Sequence, residues 1–235
     1  MVPAFIANST GSNGVALSFT ATIPAGTAIG DILYTAIAYR NTSTWSTNNA
    51  LGVWTGVHAS ATGNSNTAPT NGKGSLYSFY HVYNGISPNL TFTVSANANV
   101  WRQTTVAIRG INPVTPLGNV SLTVAASAAT VANTPGITAG PSGFLVMCIG
   151  SGCDQTFSAA NAATEPLAGG WTERTDVLST SGGDTTLMVA TATKNTAGGL
   201  TGTFNCTGTN TTFNCIGVAE FKPYVRARQR YICGA

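Results

Sequence analysis

The sequence predicts an all-β protein made of two tandem, duplicated β-sandwich domains of jelly-roll-like type, and three observations lead to this fold class. Only 7% of the 235 residues are charged, and Thr, Ser, Asn, Gly and Ala dominate, which suits strands joined by tight turns. The run GDILYTAIAY at 30–39 is apolar, of strand length and rich in β-branched and aromatic residues, so it must be buried on both faces. A second such run, SGFLVMCI, follows at 142–149.

Strand patterns follow one another at short intervals in the first half. The stretch 16–23 alternates apolar and hydroxylated residues and ends at the turn residues 24–26. The other predicted strands are 30–39, 51–57, 75–83, 90–94 and 101–111. The two-residue period of a strand predicts two faces for 75–83, with Leu76, Tyr80 and Val82 on one and Tyr77, Phe79, His81 and Tyr83 on the other.

The second half repeats this order of landmarks. Its predicted strands are 120–124, 143–149, 185–194, 200–204 and 215–221, and Trp171 corresponds to Trp54. We interpret the repeat as a tandem duplication with a short linker at 112–116. The predicted units are a first sandwich at 1–112, a second at 113–222 and a C-terminal arm at 223–235. The sequence leaves open whether the two sandwiches pack rigidly or swing about the linker.

The positive charge of the chain is concentrated near its C-terminus. The net charge is +3, yet four basic residues precede or lie in the arm and leave six basic against seven acidic residues elsewhere: Lys222, Arg226, Arg228 and Arg230. Tyr224 and Tyr231 lie among them. Because nucleic-acid footprints carry more charge than this, we expect the arm to dock on protein rather than on nucleic acid. We also expect no membrane span and no secretory signal.

The residues that usually carry chemistry show no catalytic or metal-binding spacing. His58 and His81 form no HxH or HExxH motif, the seven carboxylates are scattered, and no GxSxG motif occurs. We therefore expect no enzyme activity, no metal and no cofactor. His81, among tyrosines on a strand face, is expected to be a packed or surface aromatic.

The five cysteines all lie in the second half. Cys206 and Cys215 bracket TGTNTTFN, and a hairpin centred in that stretch would place them directly opposite each other. Such a pair could form a cross-strand disulfide. The alternative is that they are small buried thiols, as expected in a reducing cytoplasm.

Aromatic residues of the first half are candidates for an interaction surface, because aromatic faces bind sugar rings and anchor protein interfaces. Trp54 and Trp101 are expected in the core. Trp45, in a predicted polar loop at 41–49, is the residue expected to be most exposed, and Tyr77 and Tyr83 join it as candidates. The stretch 59–74 is predicted to be an irregular exposed loop.

A set of landmarks in the first half resembles a domain common in tailed-bacteriophage structural proteins. The matching residues are Gly30, Asp31, Trp54, Tyr83, Asn84, Gly85, Leu90, Phe92 and Gly110. In the second half Gly143 takes the place of the acidic residue and Lys194 that of the tyrosine.

This resemblance implies a jelly-roll-like virion component that is assembled in the host cytoplasm and acts by association. The first expectation is a capsid decoration or minor capsid protein that binds other virion proteins and forms a homo-oligomer, with a trimer as one option. The alternative is a tail or fibre adhesin that binds host-surface carbohydrate through Trp45 and its neighbours.

Overall fold

The computed structural model of the chain describes residues 1–13, 18–39, 45–47, 54–59, 75–86, 91–94, 101–124, 129–133, 137–152, 156–160, 167–177, 185–194, 205–212 and 214–225. Within these ranges all regular secondary structure is β-strand, so the predicted fold class is confirmed. The same ranges contain no helix that is long and apolar enough to cross a membrane.

The first half forms a five-stranded sheet and a three-stranded sheet, in which all neighbours pair antiparallel. Its strands are β1 (Ala4–Asn13), β2 (Ser18–Thr20), β3 (Ile32–Tyr39), β4 (Trp45–Thr47), β5 (Thr55–Ala59), β6 (Ser75–Val82), β7 (Thr91–Val94) and β8 (Trp101–Arg109). The five-stranded sheet, which we call the first inner sheet, has the order β1-β8-β3-β6-β5, and the first outer sheet has the order β2-β7-β4.

The second half forms the same two sheets. Its strands are β9 (Leu117–Val124), β10 (Ala129–Asn133), β11 (Phe144–Ser151), β12 (Phe157–Ala160), β13 (Leu167–Val177), β14 (Thr186–Lys194), β15 (Asn205–Thr212) and β16 (Asn214–Phe221). The second inner sheet has the order β9-β16-β11-β14-β13, and the second outer sheet the order β10-β15-β12. Every strand occupies the place of the strand eight numbers earlier, which confirms the duplicated sandwich.

Three details of the predicted repeat are corrected by the pairing. The first strand, β1, was not predicted from the sequence. The order of the repeat predicts that 215–221 corresponds to 105–111, which would match Phe221 with Ile111. Phe221 lies opposite Phe144 as Ile108 lies opposite Ile32, so Phe221 corresponds to Ile108 instead. The counterpart of β7 is β15, whereas the predicted strand 200–204 lies outside the described residues.

The two inner sheets face each other and share one apolar core. Alternate residues of β3, including Ile32 and Tyr34, point into this core together with Phe144 and Val146 of β11. Tyr34 also meets Phe221 edge-to-face, with ring centroids 5.8 Å apart. The intervening residues of β3 and β11 enter separate cores on the far faces. Both central strands are therefore buried on both faces, as their composition predicts, and the halves pack against each other.

The linker and the start of the arm lie side by side. Asn112 N donates to Lys222 O at 2.9 Å, Tyr224 N donates to Gly110 O at 2.7 Å, and Ile111 forms a bridge with Pro223. The domain boundary at residue 112 stays a prediction. Of the predicted arm, Arg226, Arg228, Arg230 and Tyr231 lie outside the described residues.

The turn before each central strand is held by a buried carboxylate, but the carboxylate comes from different strands. In the first half Asp31 Oδ2 accepts from Ala28 N at 2.8 Å and pairs with Arg109. In the second half Gly143 occupies the place of Asp31, and Glu220 from β16 accepts from Gly140 N at 2.5 Å. Gly140 corresponds to Ala28, so the same backbone donor is satisfied in both halves.

Glycine at position 143 makes room for this substitute carboxylate. A Cβ atom at Gly143 would lie 2.7 Å from Glu220 Oε1, so a side chain there would force the Glu220 carboxylate to move. The cation is also replaced, because Lys194 Nζ donates to Ala139 O at 2.8 Å. Lys194 and Glu220 thus bind the two sides of one peptide group, Ala139–Gly140.

Candidate functional site

Four polar side chains meet where the two inner sheets touch, and we call them the inter-sheet cluster: Tyr34, His58, Ser78 and Cys148. The first three come from β3, β5 and β6 of the first half, and Cys148 comes from β11 of the second. All four are buried, with at most 3% of each side chain exposed. Cross-strand pairing of His58 with Ser78 brings the imidazole beside the hydroxyl.

The hydrogen bonds of the cluster determine the form of the histidine. Val218 O can only accept, so His58 Nε2, at 3.2 Å, carries a proton and donates. In the neutral ring His58 Nδ1 is then an acceptor, and Ser78 Oγ donates to it at 2.7 Å. Ser78 Oγ in turn accepts from His58 N at 3.2 Å. Every polar atom of the Ser78–His58 pair is therefore used when the imidazole is neutral.

Tyr34 and Cys148 complete the contact between the two halves. Cys148 Sγ donates to Gly217 O at 3.7 Å, which leaves the sulfur to accept from Tyr34 Oη at 3.1 Å. Tyr34 Oη also lies 3.3 Å from His58 Nδ1. The closeness of the sheets here requires a glycine, since a Cβ atom at Gly217 would lie 2.9 Å from the His58 ring.

Burial keeps all three titratable members of the cluster uncharged at neutral pH. Desolvation lowers the pKa of His58 to about 4 and raises the pKa of Cys148 to about 12. It also raises the pKa of Tyr34 well above its usual value. A neutral, fully hydrogen-bonded cluster stabilises the contact, because each polar atom that left water has a partner.

The Ser78 hydroxyl lies as close to the His58 imidazole as a catalytic nucleophile lies to its general base, and the sequence did not predict this pair. To find it, the sequence would have had to predict that β5 pairs with β6 in the register that sets residue 58 opposite residue 78. Ser78 is fully buried between the sheets, so a substrate reaches its Oγ only if the inner sheets separate. The bond that the pair makes to the other half is the donation from His58 Nε2 to Val218 O.

The predicted hairpin that would place Cys206 opposite Cys215 is wrong. Cys206 on β15 lies opposite Ala132 and Ala159 in the second outer sheet, whereas Cys215 on β16 lies opposite Gly150 and Val124 in the second inner sheet. Thr and Asn residues continue β15 to Thr212, and the chain then passes to the other sheet instead of turning back. Cys148 and Cys215 are buried thiols.

The aromatic candidates of the first half lie in different places. Trp45 lies in β4, where it pairs with Val94, and not in a loop. Tyr77 and Tyr83 are half-buried and pack against the far-face core of the first inner sheet, which contains Trp54 and Trp101 as predicted. His81 packs on Trp54 with ring centroids 5.5 Å apart, which confirms it as a packed aromatic. Residues 60–74 lie outside the described part of the chain.

A group of exposed apolar side chains gathers where the linker lies, and we call it the apolar end: Met1, Val2, Ile29, Ile86, Val114, Tyr224 and Val225. Each is between 41% and 85% exposed. They come from five chain segments. Two of these precede β1 and β3, two follow β6 and β8, and the fifth, 224–225, runs beside Gly110.

Strand pairing brings these segments together. Ile32 lies opposite both Val82 and Ile108, and Ala4 lies opposite Arg109, so the four strands finish at the same end of the sheet. The Met1 amino group donates to Tyr224 O at 3.3 Å. Because β1 and β6 are three strand spacings apart, the apolar end extends over about 14 Å.

The comparisons with protein-family models, curated proteins and solved structures found no match for this chain. Among the described residues, no three His, Cys, Asp or Glu side chains come together in a group that could hold a metal ion.

Proposed function

We propose that this protein is a non-catalytic structural component of a tailed-phage virion, and in particular a capsid decoration or minor capsid protein. It acts by association with other virion proteins. The observation that carries the proposal is the apolar end. Exposed apolar side chains that are contiguous mark interaction sites, whereas scattered ones need no explanation. The virion setting comes from the landmarks of the first half, which resemble domains of phage structural proteins.

The architecture supports an associating role. The shared core and the inter-sheet cluster join the two sandwiches into one body, so the apolar end is presented on a rigid support. A rigid surface loses little conformational entropy when it docks. The side chains of the kinds that take part in catalysis, His58, Ser78 and Cys148, are hydrogen-bonded within that internal contact.

Charge at the apolar end is expected to weaken incorporation. Val114 and Val225 are 85% and 76% exposed, so Val114→Glu with Val225→Glu should fold normally, yet each carboxylate would be desolvated on docking. We expect the copy number in purified particles, measured by quantitative mass spectrometry against the shell protein, to fall about tenfold or more.

Val120→Glu is the matched control, because Val120 is exposed but lies on the edge strand β9, outside the apolar end. Its copy number should equal that of the unmodified chain. Full incorporation of the double variant would contradict the apolar end as the docking surface. Absence of the unmodified chain from particles would contradict the virion role.

A further inference from the structure

A cavity of about 160 Å³ opens between the two halves at the same end of the molecule as the apolar end. Its lining includes Pro3 and Phe5 of the first half and Phe144, Thr172, Arg174 and Thr193 of the second. Pro3 directly follows Met1 and Val2, so the cavity adjoins the apolar end. One water occupies about 30 Å³ in the liquid, so the cavity has room for several waters or for one carboxylate group.

Arg174 is held in this cavity in a defined orientation. Its guanidinium carbon lies 4.0 Å from the centroid of the Phe5 ring, and its Nε donates to Thr191 Oγ1 at 2.7 Å. Stacking on the aromatic ring and this hydrogen bond fix the guanidinium plane. The two terminal amino groups are then left as a fork of donors of the kind that binds both oxygens of a carboxylate. Within the described residues, these amino groups have no hydrogen-bond partner and Asp31–Arg109 is the one ion pair.

The surroundings of Arg174 favour an added anion. Partial burial lowers the pKa of Arg174, which means that desolvation of its charge is not offset by a neighbouring carboxylate. Asp176, two positions along β13, is engaged elsewhere, since its Oδ2 accepts from Phe157 N at 2.8 Å. Thr172 and Thr193 at the cavity wall offer further hydroxyl donors.

We propose that this cavity receives the carboxylate of an Asp or Glu side chain from the partner protein that docks on the apolar end. The Arg174 fork would bind the two carboxylate oxygens, and apolar residues beside the acid would cover Met1 and Val2. Charge complementarity selects an acidic partner: Lys222 is exposed at this end, and the basic residues 226, 228 and 230 follow it in sequence. This inference rests on the proposed function and adds the chemistry of the partner.

The test uses two capped peptides that differ in one group, acetyl-Leu-Glu-Leu-amide and acetyl-Leu-Gln-Leu-amide, on the ¹⁵N-labelled full chain. We expect the Glu peptide to shift the Arg174 Nε–Hε resonance saturably, with a Kd of about 1–10 mM, and the Gln peptide to bind at least about tenfold more weakly. Arg174→Gln should abolish binding of the Glu peptide, measured at backbone amides of β13 and β14. Val120→Gln is the control, because Val120 is exposed on the edge strand β9, outside the cavity and the apolar end, and it should leave the Kd within about twofold.

Several results would overturn the inference. They are equal binding of the two peptides, no saturable shift with either, or inorganic phosphate producing a tighter saturable shift than the Glu peptide. If Arg174→Gln does not fold, Phe5→Leu keeps the guanidinium and removes its aromatic support, and it should weaken the Glu peptide about threefold or more. Failure here leaves the apolar-end variants to test the proposed function separately.

Discussion

Replacing Glu220 by alanine is expected to lower the free energy of unfolding by about 2–4 kcal/mol, because two backbone donors lose a buried, charged acceptor. Only 3% of Glu220 is exposed, and its two oxygens accept from Gly140 N and Asn119 N. Its removal leaves these two backbone donors without their acceptor. Urea unfolding at pH 7 measures the loss, with Glu173→Ala as the control because Glu173 is exposed.

The duplication provides a specific rescue for this variant. Gly143→Asp restores the arrangement of the first half, where Asp31 accepts from the equivalent amide. In the presence of Glu220 the new side chain clashes, since its Cβ would lie 2.7 Å from Oε1. After Glu220→Ala that obstacle is gone, and the introduced carboxylate can accept from Gly140 N.

The two substitutions should therefore be strongly coupled. We expect each single variant to be destabilised and the double variant to be at least about 1–2 kcal/mol more stable than the sum of the two losses. Additive losses would show that the two halves do not hold their turns by interchangeable carboxylates.

The two halves illustrate which features a sequence can reveal. The apolar run that forms each of β3 and β11 is local, so burial on both faces followed from the residue types alone. The repeated order of landmarks likewise predicted the repeated sheet topology, because strand order is inherited with the duplicated segment. The faces of β6 were also predicted correctly, because the two-residue period of a strand is local. Leu76 lies toward the shared core and Tyr77 away from it.

Features that depend on partners far along the chain were missed. The sequence shows that Gly143 lacks a carboxylate, but the substitute, Glu220, comes from another strand and is recognised only when β16 lies beside β11. The inter-sheet cluster joins Tyr34 to Cys148 across the two halves, and nothing in either segment predicts which sheet faces will meet. The hairpin prediction at 206–215 was wrong because the local turn composition does not determine whether the chain turns back or passes to another sheet.

Acidification is expected to weaken the fold through His58, with a loss of about 3 kcal/mol between pH 6.5 and pH 4. Burial lowers the pKa of His58 from 6.5 to about 4, so in this range the unfolded chain binds a proton that the folded chain does not. Stability from this group is complete above pH 6.5, falls as the pH drops and levels off below pH 4. The groups that face His58 are Ser78, Tyr34 and, through Tyr34, the Cys148 thiol, and all are neutral there.

Asp176 acts in the opposite direction over part of the same range. Burial raises its pKa to about 6, so the folded chain holds that proton more tightly, and the resulting stability is present at low pH and lost as the pH rises through 6. The two groups therefore offset each other between pH 4 and pH 6 in the unmodified chain. In Asp176→Asn the loss on acidification should be steeper, and adding His58→Gln should remove most of that additional slope.

Two measurements together decide whether His58 causes this pH dependence. Urea unfolding of the three chains at pH 7, 5.5 and 4 gives the slopes, and the His58 ring proton, followed by NMR, gives the pKa directly. The chain has two histidines, so the His58→Gln spectrum assigns the signal. A His58 pKa near 6.5, or the same slope with and without His58, would mean that the imidazole can be protonated without separating the inner sheets. The acceptor that Nδ1 offers to the Ser78 hydroxyl would then be unnecessary for the contact between the halves, since the donation from Nε2 to Val218 O is kept in the protonated ring.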